Sequence, residues 1–389
     1  MSSEIYLDYA ATSALRPPEV VEAITRYLQD VGATPGRSGH RRALEAGRIV
    51  LRCRRALADL FNIPGDPGRI TFQHNATHAL NVALHGLLSP GDRLVRTAYD
   101  HNAVRRPAAA LAAAGVEVQM VSGAPDGSLD LAELADRITG GARPARVVAL
   151  PLASNVLGQR LPIQEVAEIA HAAGALVLVD AAQGAGHLPL DVQREEIDLL
   201  AITGHKGLLG PQGVGGLWVR EGIDVHPLLR GGTGGDSLTA EMPPHYPDHL
   251  EAGTLNGSAI AGLLAGLEWL QREGIESLAA RERMLKRRLH QALAAVPGIS
   301  VRSPAGEDGV GIVTFTSERC NAAEMAARLD REHGVQARAG LHCAPDAHAV
   351  IGTVATGAVR FSLGWASSER EVDAAVAAVA SIQETAANA

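Results

Sequence analysis

The sequence predicts an α/β fold: a large domain with a mostly parallel sheet covered by helices, and a smaller α+β domain after it. Three observations lead to that class. Short apolar runs rich in valine, leucine and isoleucine recur between positions 69 and 220, the texture of strands buried on both faces. Segments of helical period separate them, so strand and helix alternate as they do around a parallel sheet. From position 298 the alternation gives way to short strands and two helices. A chain of 389 residues can bury a large core and divide into two domains. Hydrophobic residues make up 46% and aromatic residues only 3%, so the core must be built from alanine, valine, leucine and isoleucine.

In chain order, residues 5–7 are a short strand and Asp8-Tyr9-Ala10-Ala11-Thr12 a turn. Pro17 and Pro18 open a helix that runs to about Asp30, because proline suits the first helical turn. The stretch 32–40 is too rich in glycine for regular structure, and 42–61 is a long amphipathic helix. Residues 69–72 are a strand, after which His74-Asn75-Ala76-Thr77 leads into a helix over 79–88. Backbone N–H groups at Ala76 and Thr77 and the Thr77 hydroxyl would point at an anion there, although Thr77 as a plain helix cap explains the same residues. Strands follow at 93–97, 116–121, 146–150, 175–179, 197–202 and 216–220, with helices at 129–138 and 162–173 and loops at 99–104 and 151–158. Residues 230–237 and EMPPHYPDH are loops, and 258–296 is helical with a break near Gly274. Strands at 299–302, 311–315 and 358–363 and helices at 320–333 and 367–383 complete the chain. The boundary falls near Leu255, giving a large domain of residues 13–255 and a small domain of residues 256–389 onto which residues 1–12 fold back.

The net charge of −8, with no cluster of lysine and arginine, speaks against nucleic acid as a partner. Cys53, Cys320 and Cys343 form no CxxC pattern, which argues against a disulfide framework or a zinc site and suits a reducing compartment. The opening MSSEIYLDYAAT shows no charged and then apolar leader. No apolar run approaches the roughly 20 residues of a membrane span. The expectation is a cytoplasmic protein with no membrane partner and no metal.

Chemistry concentrates between Ala175 and Gly216. Asp180 stands at the C-terminal end of one strand, and Thr203, Gly204, His205 and Lys206 end the next. A carboxylate and a lysine are thus presented where open α/β sheets place their ligands. Pyridoxal phosphate needs this pair, a lysine for its Schiff base and an acid against its pyridinium nitrogen. A surface lysine in a salt bridge with a strand-end aspartate is the plainer explanation of the same two residues.

The markers YLDYAAT, GRSGH, NATHALN, DHNA, SNVLG, VDAAQ, TGHKGLLGPQG, RGGTG, LEAGTLN, ARAGLHCAP and VRFSLG occur in that order along the chain. Together they resemble the class V, fold type I pyridoxal-phosphate enzymes, and within them the cysteine desulfurase and selenocysteine lyase group. The resemblance covers essentially the whole chain. It implies a fold type I transferase that converts L-cysteine to L-alanine, and a homodimer with each active site at the subunit interface. Lys206 resembles the Schiff-base lysine, Asp180 the partner of the pyridine nitrogen, and Gln183 the donor to the phenolic oxygen. His101 looks like the residue stacked on the pyridine face. Ala76, Thr77, Thr203 and His205 look like the phosphate cradle, and Thr254 resembles the threonine that reaches the phosphate of the other subunit. Asn155 resembles the residue beside the phenolic oxygen and the substrate carboxylate. Arg360 resembles the arginine that binds that carboxylate, where a planar guanidinium suits a planar acid, and Arg338 lines the pocket or holds the loop after it.

Cys343 decides the function. It lies between a glycine turn and a helix start, on a loop expected to move, a setting in which thiols are reactive. In the family this thiolate takes the sulfur of cysteine and keeps it as a persulfide for transfer to an acceptor protein. Cys53 and Cys320 fall in or at helices and read as structural. The short LHCAP surround is similar to the type II desulfurases, but PDAHAVIGTVATGAV after it departs in length and content from the best-known of them. The alternatives are a selenocysteine lyase with the same lysine, acid and arginine, another class V aminotransferase-type reaction that needs no cysteine at 343, and a non-catalytic scaffold.

Overall fold

The computed structural model describes residues 4–387 except 37, 142, 236, 237 and 307. Arg37 in the expected GRSGH loop, and Asp236 and Ser237 at the end of the expected 230–237 loop, lie outside the described residues, as do positions 1–3.

A seven-stranded sheet carries the first half of the chain, in the spatial order Ile70–Gln73, Gly215–Val219, Leu199–Thr203, Leu176–Asp180, Val147–Pro151, Arg93–Thr97 and Glu117–Val121. All pairings are parallel except the two made by Gly215–Val219. Strands 147–151, 199–203 and 215–219 are buried at every position, as their unbroken apolar runs require of strands covered on both faces. From Arg93–Thr97 the chain moves to one neighbour, Glu117–Val121, and then returns to the other, Val147–Pro151. That reversal opens a crevice at the carboxyl ends of the strands, where ligands of such sheets bind.

Helices pack on both faces. Asn75 caps Ala76–Leu87, its side chain accepting from the His78 amide at 2.9 Å. That helix therefore starts three residues earlier than predicted, and Thr77 lies in its first turn and is not its cap. Gly215 makes the approach possible: a Cβ there would fall 2.5 Å from the Ile202 carbonyl oxygen and 2.8 Å from the Asn75 Cα. The stretch read as a loop at 99–104 holds the start of a further helix, Asn102–Ala113, with His101 as its cap. Alanine lends that segment little hydrophobic periodicity, and Pro107 sits inside it. The predicted break at Gly274 is present: this residue has φ of +82° between Gly257–Glu273 and Ile275–Ala294, a conformation open to glycine at little cost.

A second, antiparallel sheet has the order Arg338–Gly340, Ala358–Ser362, Ile312–Ser317 and Ile299–Val301. Its own core includes Phe315, Phe361, Leu289 and Val379. Ile5–Tyr6 pairs in parallel with Val335–Gln336, and Asp8 bridges to Ser362. The register sets Arg338 directly opposite Arg360. Opposed residues on an antiparallel pair share a face, and like charges there repel unless an anion joins them.

Candidate active site

A cavity of about 260 Å³ opens at the carboxyl ends of the large sheet. Each element contributes at its end. Asp180 closes one strand and Thr203 the next, Lys206 follows three residues on, and His101 caps the helix after Arg93–Thr97. Ala76 and Thr77 come from the helix start after Ile70–Gln73. Asn155 and Gln183 come from the loops after their strands, and Arg338 and Arg360 from the second sheet. The structure thus gathers Ala76, Thr77, His101, Asn155, Asp180, Gln183, Thr203, His205, Lys206, Arg338 and Arg360 around one space. Thr254 is not among them; it lines a different cavity beside His74, His78 and Glu251.

Burial governs the electrostatics. It lowers Lys206 to about 8, with Asp180 pulling the other way and Arg360 and Arg338 adding to the fall. Its amine can therefore hold or release a proton near neutral pH. Burial raises Asp180, opposed by the Ala182 amide at 3.0 Å and by Lys206. His101 falls to about 4 through burial and then Lys206, and its Nδ1 accepts from the Ala103 amide at 3.0 Å, so the neutral ring carries its proton on Nε2. His205 is lowered to about 4 by burial and Lys206, and its Nδ1 lies 3.1 Å from the Thr12 hydroxyl. Gln183 donates one amide N–H to the Ala10 carbonyl at 2.9 Å and keeps a second.

Arg360 is 1% exposed. Its Nη2 meets Asp8 Oδ1 at 2.8 Å and its Nη1 donates to the Asn155 carbonyl at 3.1 Å, while its Nε is buried without a partner. Burial lowers its pKa and Asp8 opposes the fall. Sequence reasoning did not find Asp8, which lies inside the YLDYAAT marker. The signal available in the sequence is that the first dozen residues fold back onto the second domain.

Cys343 is half-buried beside the cavity, with Arg338 Nη2 3.3 Å from its sulfur. The loop forms a hydrogen-bonded bend. Asn102 N–H donates to the Cys343 carbonyl at 2.7 Å and Asn155 Nδ2 to the His342 carbonyl at 2.6 Å. His342 and Cys343 both take left-handed backbone, with φ of +49° and +60°. Neither is glycine, so surrounding contacts must hold them there. Burial raises the thiols of Cys53, far above the usual range, and of Cys320, to about 11.

Three buried polar atoms of the cavity-lining residues have no partner: Thr203 Oγ1, Asn155 Oδ1 and Arg360 Nε. Each such group costs about 1–3 kcal/mol if left unmet. A bound molecule with a phosphate and a carboxylate would meet the hydroxyl and the guanidinium. A lysine, a buried acid and a helix N-terminus face the same space, and this donor set fits pyridoxal phosphate.

Residues 5–375 match the family model described as Aminotransferase class-V. A probable cysteine desulfurase of Pyrococcus abyssi is 34% identical, over 87% of this chain and 85% of its own length. The cysteine desulfurase of Haloferax volcanii is 31% identical, over 98% of this chain and 89% of its own. Among solved structures, the apo cysteine desulfurase of Thermococcus onnurineus superimposes with a TM-score of 0.90 at 31% identity, covering 98% of this chain and 95% of that one. Cysteine desulfurase CsdA of Escherichia coli gives 0.86, again at 31% identity, covering 99% and 95%. The family match over nearly the whole chain, and a cavity that fits the cofactor of that family, lead to one conclusion: this chain belongs to the class-V aminotransferase family of pyridoxal-phosphate enzymes.

Proposed function

We propose that the chain is an L-cysteine desulfurase that yields L-alanine and holds the sulfur as a persulfide on Cys343. The observation that carries this reading is the Cys343 sulfur, held 3.3 Å from Arg338, which lines one cavity with Lys206, Asp180 and Arg360. A transamination would have no use for that thiol.

Pyridoxal phosphate supplies, when bound, a covalent link to an amine and an electron sink for carbon–sulfur cleavage. Lys206 provides the amine, and its lowered pKa lets it carry a proton to and from substrate carbon. Asp180 would set a negative charge against the ring nitrogen, Gln183 would donate to the ring oxygen with Asn155 beside it, and His101 would cover one face. Thr77, Thr203, His205 and the Ala76 amide would hold the phosphate. Arg360 binds the α-carboxylate of cysteine. The Cys343 thiolate attacks the cysteine sulfur: an S–S bond forms as the C–S bond breaks, and protonation of the carbon releases alanine. Arg338 steadies the attacking sulfur. Thr254, outside this cavity in its own chain, serves the site of a second copy, so the active unit is a homodimer. The same reading divides the chain at residue 255, with residues 1–12 joined to the second part. It places the protein in the cytoplasm, where a sulfur-acceptor protein takes the persulfide. Among the described residues, no helix is long and apolar enough to cross a membrane.

The test is an assay of the purified holoenzyme with L-cysteine, following alanine and sulfide with and without reductant. Without reductant, the peptide containing Cys343 should gain the mass of one sulfur. Extra sulfur on Cys53 or Cys320, or no alanine at all, would remove the reading. Selenocysteine serves as a second substrate: Cys343→Ala should lose cysteine turnover and keep much of its selenocysteine turnover, since selenium leaves with less help.

A further inference from the structure

Beneath the Cys343 bend, three side chains form one hydrogen-bonded line. Thr353 Oγ1 lies 2.7 Å from His348 Nδ1, His348 Nε2 lies 3.0 Å from His342 Nδ1, and His342 Nε2 lies 3.4 Å from the Arg338 carbonyl oxygen. All three residues are buried, at 1%, 0% and 2% exposure. The direction of the line follows from its last member. A carbonyl can only accept, so His342 carries its proton on Nε2 and accepts at Nδ1. His348 must then donate from Nε2 and accept at Nδ1, which the Thr353 hydroxyl supplies. One tautomer of each ring satisfies every atom, and both rings are neutral. Burial keeps them so, lowering His342 to about 2 and His348 to about 4.

The line ends on Arg338, the residue whose guanidinium touches the Cys343 sulfur. It also props the two left-handed residues of the bend, His342 and Cys343. The short helix Pro345–Val350 that carries His348 has a separate anchor: Asp346 pairs with Arg96 at 3.0 Å and with Arg105 at 3.2 Å. Cutting the line therefore loosens the bend without releasing the helix. Resting on the desulfurase reading of Cys343, we infer that Thr353, His348 and His342 are positioning residues for sulfur transfer, fixing the bend so that Arg338 and the Cys343 thiol meet. His348 and Thr353 both lie in the segment PDAHAVIGTVATGAV that follows the cysteine.

The experiment compares wild-type holoenzyme with Thr353→Val, Thr353→Ser and His348→Leu. For each it measures kcat and KM for alanine formation, cofactor absorbance, melting temperature, and the rate at which iodoacetamide alkylates Cys343 at one fixed pH, read by peptide mass. Thr353→Val removes only the hydroxyl in a nearly equal shape, so it tests the line even where His348→Leu fails to fold. Misplacing a reacting atom costs up to about 100-fold, so Thr353→Val and His348→Leu should lower kcat about tenfold or more with KM little changed. Both should shift the alkylation rate of Cys343, and Thr353→Ser should restore kcat and alkylation to near the wild-type values. Unchanged kcat and alkylation in Thr353→Val, or losses that follow the melting temperature and are not restored by Thr353→Ser, would overturn the proposal. If the wild type makes no alanine from cysteine, the desulfurase reading fails by itself, and the alkylation contrast alone decides whether the line positions Cys343.

Discussion

Replacing Asp8 by asparagine should tighten substrate binding while weakening the free protein. Asp8 keeps Arg360 neutralised through a 2.8 Å contact between Oδ1 and Nη2. The arginine side chain is 1% exposed and the aspartate side chain 22%, so the pair is buried on one side and partly wet on the other. Of the five guanidinium N–H groups, one meets Asp8 and one the Asn155 carbonyl, while the Nε N–H is buried without a partner. Asparagine keeps the shape and the accepting oxygen and removes the charge. Two unit charges about 4 Å apart attract by about 4 kcal/mol at an effective dielectric of 20, and partial exposure of Asp8 reduces this to about 1–2 kcal/mol. The free variant should lose stability of that order. When a substrate carboxylate binds, it becomes the sole counter-ion of Arg360, and most of the loss is recovered. The dissociation constant for L-alanine should then fall about 5- to 30-fold, the factor that corresponds to 1–2 kcal/mol. Differential scanning calorimetry with and without alanine reads both effects, with a lower melting temperature for the free variant and a larger upward shift on binding. Weaker alanine binding with unchanged stability would refute the reasoning, because Asp8 would then orient Arg360 more than neutralise it.

Lys206→Ala should abolish the covalent cofactor link; a borohydride-reducible chromophore surviving in that variant would remove Lys206 from its role. Arg360→Ala should raise KM for cysteine by the loss of a charge-assisted pair, about 2–3 kcal/mol, with the cofactor spectrum little changed; an unaltered KM would move carboxylate binding to Arg338. Filling the Thr203 site with Thr203→Val should weaken cofactor retention on dialysis and leave the melting temperature of the apo-protein equal or higher, since an unmet buried hydroxyl disappears. Acid should weaken the fold through its buried neutral histidines: with His348 at about 4 in the fold and about 6.5 unfolded, the unfolded chain binds more protons between those values, so stability falls as pH drops through that window. The raised Asp100 and Asp180 carboxyls act with the opposite sign, so the contribution of His348 is read as the difference in slope between wild type and His348→Leu, and equal slopes would contradict it.

What the sequence revealed followed from local signals. Buried parallel strands announce themselves as unbroken apolar runs, and chemistry at their carboxyl ends follows from the topology, so Asp180 and Lys206 were legible as a pair. The helix at 102–113 was not, because its alanines give little contrast between faces and Pro107 reads as a breaker. Thr77, two residues along from Asn75, satisfies the same capping rule in the sequence, and only the backbone distinguishes them.

The contacts that turn this cavity into a site for a carboxylate-bearing thiol are the ones no local pattern encodes. Asp8 and Arg360 are separated by 352 positions, and Asn155 and His342 by 187. Each depends on where the second sheet comes to rest on the first. Asn155 shows what that docking achieves: its carbonyl holds Arg360, its side-chain amide holds the His342 carbonyl, and its Oδ1 is buried without a partner. One residue from the large sheet thereby sets the spacing between the group that binds a carboxylate and the bend that carries the sulfur acceptor. A cysteine molecule has its carboxylate and its sulfur on adjacent carbons of one short skeleton, so that spacing must be fixed. The tether through Asn155 links the two groups through one residue of the folded chain.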